Sequence, residues 1–272
     1  MSRPWRNDRG PFSADQLRSG DPYELSNGHA VECLPTGGRG SSANAVGASV
    51  LRSDPDVESL GVDTGYSPEP GTLRAPDVAV GNVSDEPGWV EGVPPLAVEY
   101  VDRGQDEADL RDKIRELLAA GTQLIWVVRL EGPHRVEIHS PDAPRRFADP
   151  GDLLEAPGIL RNPVPVEALY DWRAAEGVTL RNLLQKQGYA DLDAVLAEGR
   201  SEGLAEGRSE GLAEGKAQGL ANSILSVLEA RKVDLNGNQR TRIRSCTDPI
   251  QLEAWLRRAA VAPSAEAVFE ET

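Results

Sequence analysis

The sequence has little cysteine, little histidine and no long apolar run, and each shortage excludes a class of protein. Its 272 residues include two cysteines, Cys33 and Cys246, and three histidines. A disulfide framework is therefore not expected, and neither is a cysteine–histidine zinc cluster. No apolar stretch is long enough to span a bilayer, and the opening MSRPWRNDRG lacks the apolar core of a signal peptide. We expect a soluble cytoplasmic protein without membrane association.

Positive charge is also in the minority. The chain carries 29 Lys and Arg residues against 44 Asp and Glu residues, a formal net charge of -15. This excess of negative charge opposes a bulk electrostatic hold on nucleic acid or on an anionic membrane, although a local basic groove is still possible. Hydrophobic residues make up 39% of the chain, which is enough for a real core. The length fits one large domain with a smaller piece attached.

The first two thirds of the chain alternate between strand patterns and helix patterns, which predicts an α/β layer fold. YELSNGHAVE is typical of a hairpin with Asn27-Gly28 as its turn, and the Gly-rich PTGGRGSS predicts a loop before a helix in ANAVGASVLRS. APDVAV, LAVEYV, QLIWVVR and HRVEIHS read as strands. DEADLRDKIRELLAAG has the apolar spacing of a helix that ends at Gly121.

Two acids interrupt the apolar strand patterns. Asp77 lies within APDVAV and Glu99 within LAVEYV. A buried carboxylate is costly unless it is paired or binds a metal ion. Acids on neighbouring strand ends can converge, and such oxygen ligands suit Mg2+ or Mn2+. An ion held there would polarise a phosphate and lower the pKa of a bound water, so the pattern predicts a hydrolytic metal site at Asp77 and Glu99.

A basic residue on the following helix could complete this site. Lys113 flanks one side of the predicted apolar stripe and Arg111 flanks the other, so helical geometry does not choose between them. The lysine could orient a metal-bound water, or take its proton if its own pKa is lowered. A purely structural interpretation is also open. Asp77 follows a proline and could start a turn, Glu99 could end a strand in water, and Lys113 could pair with Asp109 on the helix surface.

Five segments, taken in order, resemble the Uma-two family of restriction-endonuclease-like proteins, which is similar to the PD-(D/E)XK nuclease superfamily. They are YELSNGHAVE, PTGG, RAPDVAV, PPLAVEYVD and DLRDKIRELLAAGTQLIWVV. The resemblance implies a restriction-endonuclease-like mixed central sheet flanked by helices, and Mg2+-dependent cleavage of DNA. Carried onto matching positions, Asp77 and Glu99 are the metal-binding pair and Lys113 is the catalytic lysine, so the resemblance favours Lys113 over Arg111. Glu24 would have a supporting role.

The sequence also departs from the family pattern. Val101 stands where the superfamily usually has its lysine, and Asp102 stands where a serine is often found. Ser41 and Ser42 occupy a region that often contains histidine, and Leu117 replaces a frequent tyrosine. Two functions therefore remain open. One is a Mg2+-dependent DNA endonuclease, and the other is a catalytically degenerate nuclease fold that acts as an oligomerising scaffold.

A glycine repeat begins near Leu196. RSEGLAEG occurs at 200–207 and at 208–215, and KAQGLANS follows as a decayed third copy. Each glycine costs about 1 kcal/mol in a helix relative to alanine, and glutamates four residues apart repel each other. The repeat is either a flexible linker or a helix whose glycine stripe permits close right-handed pairing, as opposed to a heptad coiled coil. We favour the helix and expect a homo-oligomer.

These patterns predict five regions. They are a flexible N-terminus (1–12), a restriction-endonuclease-like domain (13–180), a helical linker with the Glu-Gly octad repeat (181–222), a small helical module (223–262) and a disordered tail (263–272).

Overall fold

The computed structural model describes residues 10–104 and 106–270. It divides the chain into two compact units, residues 1–192 and 193–272. Most of the N-terminal segment predicted to be flexible lies outside the described residues. Phe12, at its end, is buried against Leu25 and Leu73, so the prediction of flexibility is wrong for this residue. Among the described residues, no helix combines the length and apolarity needed to cross a membrane.

The described part of the first unit contains two sheets, a strand pair and three α-helices. The described strands are β1 (Tyr23–Ser26), β2 (His29–Glu32), β3 (Leu60–Val62), β4 (Tyr66–Glu69), β5 (Thr72–Arg74), β6 (Val78–Val80), β7 (Val90–Glu91), β8 (Leu96–Val101), β9 (Leu124–Arg129), β10 (Arg135–Ser140), β11 (Ala143–Ala148), β12 (Leu153–Leu154) and β13 (Val164–Pro165). The helices are α1 (Gly38–Ser53), α2 (Glu107–Ala120) and α3 (Trp172–Lys186).

The main sheet has the order β11-β10-β9-β8-β6-β3. Strands β8 and β9 are parallel and the other neighbours are antiparallel, so the predicted mixed sheet is confirmed. Because β8 and β9 are parallel, the chain needs a crossover between them, and α2 supplies it. A second sheet has the order β2-β1-β5-β4-β7. Its β1–β2 hairpin turns at Asn27-Gly28, where both residues have positive φ, as the sequence predicted.

Strand β8 lies at the centre of the main sheet, and all six of its residues are buried. Leu96, Val98 and Tyr100 pack with α1, whereas Ala97 and Val101 pack with α2 on the opposite face. Glu99 lies between Ala97 and Val101 in the alternation of the strand, and it therefore faces α2. Glu99 is therefore a carboxylate among apolar neighbours, in a strand segment that is fully buried.

The two helices that cover β8 begin and end for different local reasons. Helix α2 begins at Asp106, whose carboxylate accepts from the backbone N–H groups of Ala108 and Asp109, and it ends at Gly121 in the left-handed conformation. Helix α1 begins at Gly38, so the predicted loop at 35–42 is wrong for its second half. Small residues are tolerated in the first turn because the packing of buried Val46 and Val50 stabilises the helix.

The second unit consists of α4 (Leu192–Ala230), α5 (Gly237–Ser245), α6 (Pro249–Ala259) and α7 (Glu266–Phe269). Its apolar cluster includes Ile224, Leu252, Trp255 and Val268. The prediction of a disordered tail at 263–272 is wrong for α7, because Val268 is buried and the Phe269 ring packs edge-on against Trp255 at 5.1 Å. Residues 271 and 272 lie outside the described residues.

The observed units also differ from the predicted region boundaries. The predicted boundary after residue 180 falls inside α3, where buried Asn182 donates to the Ser53 hydroxyl at 3.0 Å. The first unit therefore continues to residue 192. Helix α4 runs without interruption through the octad repeat, and its buried Ala217 and Ala221 already belong to the apolar cluster of the second unit.

Candidate functional site

The predicted acids lie in one row across the main sheet. Strands β6 and β8 pair Val78 with Val98, and extension of this register by one residue places Asp77 opposite Glu99. The carboxylate Oδ2 of Asp77 accepts a hydrogen bond from the Tyr100 backbone N–H at 2.6 Å. On its other side Asp77 meets Asp63, whose backbone N–H donates to the Asp77 carbonyl at 3.4 Å. The row is therefore Asp63, Asp77 and Glu99.

The ammonium group of Lys113 reaches this row from α2. Its Nζ donates to the Ala75 carbonyl at 2.7 Å and to Glu99 Oε2 at 3.1 Å, and it lies 2.9 Å from Glu99 Oε1. A third contact, at 3.1 Å, joins it to Glu24 Oε1. Arg111 is exposed, so the structure brings Lys113 rather than Arg111 to the acids. The alternative in which Lys113 pairs with Asp109 on the helix surface is wrong.

A buried arginine, Arg74, pairs with two carboxylates beside Lys113. The Arg74 side chain is 2% exposed, and it donates to Glu24 Oε2 at 3.1 Å and to Glu116 Oε2 at 2.6 Å. Glu116 lies three residues after Lys113 on α2, and its other oxygen accepts from the Ser26 hydroxyl at 2.6 Å. The network therefore joins the second sheet to α2 and fixes the Glu24 carboxylate beside Lys113.

Burial and charge set the protonation of the site. Burial, the largest cause, and the nearby charges of Asp77 and Glu24 raise the pKa of Glu99 against the opposing effect of Lys113, and the net result is a pKa of about 8. Burial also raises the pKa of Asp77, again against the effect of Lys113. Burial alone would lower the pKa of Lys113, but the carboxylates of Glu24, Glu99 and Asp77 outweigh it and the pKa is raised. Lys113 is therefore protonated, whereas a role as a base would need a lowered pKa.

The donor set fits a small divalent cation. The network holds four carboxylates and two cations, namely Glu24, Asp77, Glu99 and Glu116 with Arg74 and Lys113. The buried Oε1 atom of Glu99 has no aligned hydrogen-bond donor, despite its short distance to Nζ. The described residues contain no group of three or more acids, histidines or cysteines arranged around one ion. A two-carboxylate site suits Mg2+, which keeps several waters and takes further oxygen ligands from phosphate.

Two residues of the network, and Asp63 beside it, were missed from the sequence, and the two network residues left a local signal. Arg74 directly precedes the Ala-Pro-Asp turn, and Glu116 follows Lys113 at the spacing that shares a helix face. Asp63 follows a short strand without any pattern that marks it. Two of the residues that differ from the family pattern make defined contacts in the structure. Val101 packs against α2, and Asp102 pairs with Arg39 at the surface.

The fold and this group of acids define a nuclease-like α/β protein. The chain is similar in structure to a protein from Anabaena variabilis ATCC 29413 that is described as a "putative nuclease belonging to DUF820". The TM-score is 0.51 at 18% identity, and the match covers 60% of this chain and 99% of that one. The model of the Uma2 family, described as "Putative restriction endonuclease", matches residues 13–164, and the chain belongs to this family. No match to a curated protein was found.

Proposed function

We propose that the protein is a metal-dependent DNA endonuclease that uses Mg2+ or Mn2+. The observation that carries this proposal is that Asp77 lies opposite Glu99 on the neighbouring strand and that the Lys113 ammonium, from a separate helix, contacts Glu99. Asp77 and Glu99 would hold the ion. The bound ion supplies a Lewis acid for the phosphate and a water of lowered pKa.

The role of Lys113 follows from its protonation state. Because its pKa is raised, its ammonium group donates hydrogen bonds and does not accept a proton. Its Nζ lies beside Glu99, so it can orient the attacking water and stabilise negative charge on the phosphate oxygens. Glu24 contacts that ammonium, and Arg74 in turn holds the Glu24 carboxylate, so both act as positioning residues.

The test is cleavage of plasmid and single-stranded DNA with Mg2+ or Mn2+. We expect Asp77→Asn and Lys113→Gln to lose cutting, whereas Arg111→Gln, an exposed neighbour on α2, cuts as the wild type does. Calorimetry should detect uptake of the ion by the wild type and none by Asp77→Asn. Absence of both cutting and metal uptake under all conditions would contradict the proposal.

A second function, self-association through α4, has its own support. The exposed leucines Leu196, Leu204 and Leu212 recur every eight residues, and Leu204 and Leu212 are 76% and 67% exposed. The glycines of the repeat leave open space beside them. We expect a homo-oligomer whose mass, measured by light scattering, falls when Leu204 and Leu212 are both changed to serine. Arg208→Ala is the matched control on the same helix, and an unchanged mass in the leucine double variant would refute self-association.

The proposed substrate also supports a particular cellular location. A DNA substrate and two free cysteines, Cys33 and Cys246, support a cytoplasmic protein.

A further inference from the structure

The row of paired positions that contains Glu99 continues across the main sheet to its exposed edge strand, β11. Glu99 pairs with Val127 on β9, Val127 pairs with Glu137 on β10, and Glu137 pairs with Phe147 on β11. Directly paired residues point to the same face of a sheet. Phe147 therefore shares the face of Glu99, three strands away, which corresponds to about 14 Å between their backbones.

This edge presents an aromatic ring with two guanidinium groups. Phe147 is 48% exposed, although it is a large apolar residue on an edge strand. The guanidinium carbons of Arg135 and Arg145 lie 4.9 and 4.8 Å from the centre of its ring. We call these three residues the edge platform. Exposed aromatic rings and arginine planes are the surfaces on which unpaired bases stack.

The charge balance of the platform differs from that of the whole chain. Glu137 is buried below it and contacts Arg129 and Arg145, and Glu107 pairs with Arg129 on the α2 side. Two arginines, Arg135 and Arg145, thus flank the exposed ring in a chain with a net charge of -15. Arg135 takes part in no ion pair among the described residues, so its charge is available to a phosphate.

We propose that the edge platform binds single-stranded DNA. Stacking needs an unpaired base, since a duplex hides the faces of its bases inside the helix. Val127, which lies between the platform and Glu99 on this face, is buried against α2, so the platform binds DNA beside the site and outside it. This inference rests on the proposed function and adds a substrate class to it, namely DNA with a single-stranded segment.

The experiment is fluorescence anisotropy with a labelled single-stranded oligonucleotide, and with the matching duplex, in EDTA so that no cleavage occurs. We expect Phe147→Ala to weaken single-strand binding about 5- to 150-fold, the range for loss of one stacked base. Phe147→Trp should retain binding. Arg135→Ala should reduce the slope of log K against log salt by about 0.7, the contribution of one phosphate contact on a single strand.

Arg146→Ala is the matched control, because Arg146 pairs with Ile138 and lies on the opposite face of the same strand. Circular dichroism checks that each variant is folded. Wild-type affinity in Phe147→Ala, or equal affinity of the wild type for duplex and single strand, would overturn the platform. These outcomes are separate from catalysis. If the wild type cuts DNA and Phe147→Ala still binds normally, only the platform is refuted. If binding depends on Phe147 but no DNA is cut, only the endonuclease is refuted.

Discussion

Binding of Mg2+ to the site should release a proton, because the ion and the proton compete for the Glu99 carboxylate. The pKa of this group is raised from 4.5 to about 8 in the folded protein without an ion. At pH 7 the carboxylate is therefore about 0.9 protonated, and at pH 9 it is about 0.1 protonated. Since only the ionised form ligates a cation, each ion bound should release about 0.9 proton at pH 7 and about 0.1 at pH 9.

Isothermal titration calorimetry measures this release directly. Titrations of Mg2+ in buffers that differ in ionisation enthalpy should give observed enthalpies whose slope equals the number of protons released. The apparent affinity should rise about tenfold per pH unit between roughly pH 5 and 8 and then level off. Glu99→Gln should abolish the buffer dependence, and Glu58→Gln, at a residue outside the acid row, should leave it unchanged. Tight binding at pH 7 with no proton release would refute the assignment of Glu99 as a ligand.

The same pKa has a consequence for stability without the ion. Because the folded state holds the Glu99 proton more tightly than the unfolded state, Glu99 stabilises the fold fully below about pH 4.5. That contribution is lost at about 1.4 kcal/mol per pH unit as the pH rises towards 8. Chemical denaturation of the metal-free wild type and of Glu99→Gln should therefore diverge with rising pH, and saturating Mg2+ should restore the wild type. Parallel profiles would contradict the pKa.

The remaining predictions concern stability and use thermal or chemical denaturation. Arg74→Met removes the ion-pair partner of Glu116 and one of the two cations that contact Glu24, and it should cost about 3–5 kcal/mol, whereas exposed Arg115→Met should cost less than about 1 kcal/mol; equal costs would refute the buried network. Gly47→Ala places a Cβ 1.8 Å from the Tyr100 hydroxyl and should cost about 1–3 kcal/mol. Gly203→Ala meets open space and should stabilise α4 by about 1 kcal/mol, so the same sign for both would refute the packing argument.

Local pattern was sufficient for much of the first unit. The burial of the strands LAVEYV and QLIWVVR, the helix between them that ends at Gly121 and the Asn-Gly hairpin were predicted, because each depends on neighbours in sequence. The positions of Asp77 and Glu99 followed from the cost of a carboxylate in such strands. Lys113 needed the family resemblance, because Arg111 was equivalent on the helical wheel.

What could not be predicted depends on contacts between distant segments. Arg74 meets Glu24 across 50 positions and Glu116 across 42. The sequence around each of these residues does not show which distant segments come together in the fold. The raised pKa of Lys113 has the same origin, since burial alone predicts a lowered one. The α7 helix was missed because four residues form a stable turn only where Trp255 supplies a packing surface.

Tyr100 makes two hydrogen bonds that connect Asp77 to Leu169. Its backbone N–H fixes the Asp77 carboxylate, and its hydroxyl donates to the Leu169 carbonyl on the far side of the core at 2.9 Å. A change in packing beside α1 can thus move the Asp77 carboxylate by displacing one residue. Substitutions at Gly47 and around Leu169 will accordingly be limited by the position of Asp77 as well as by stability, and variants selected only for folding will reveal the difference.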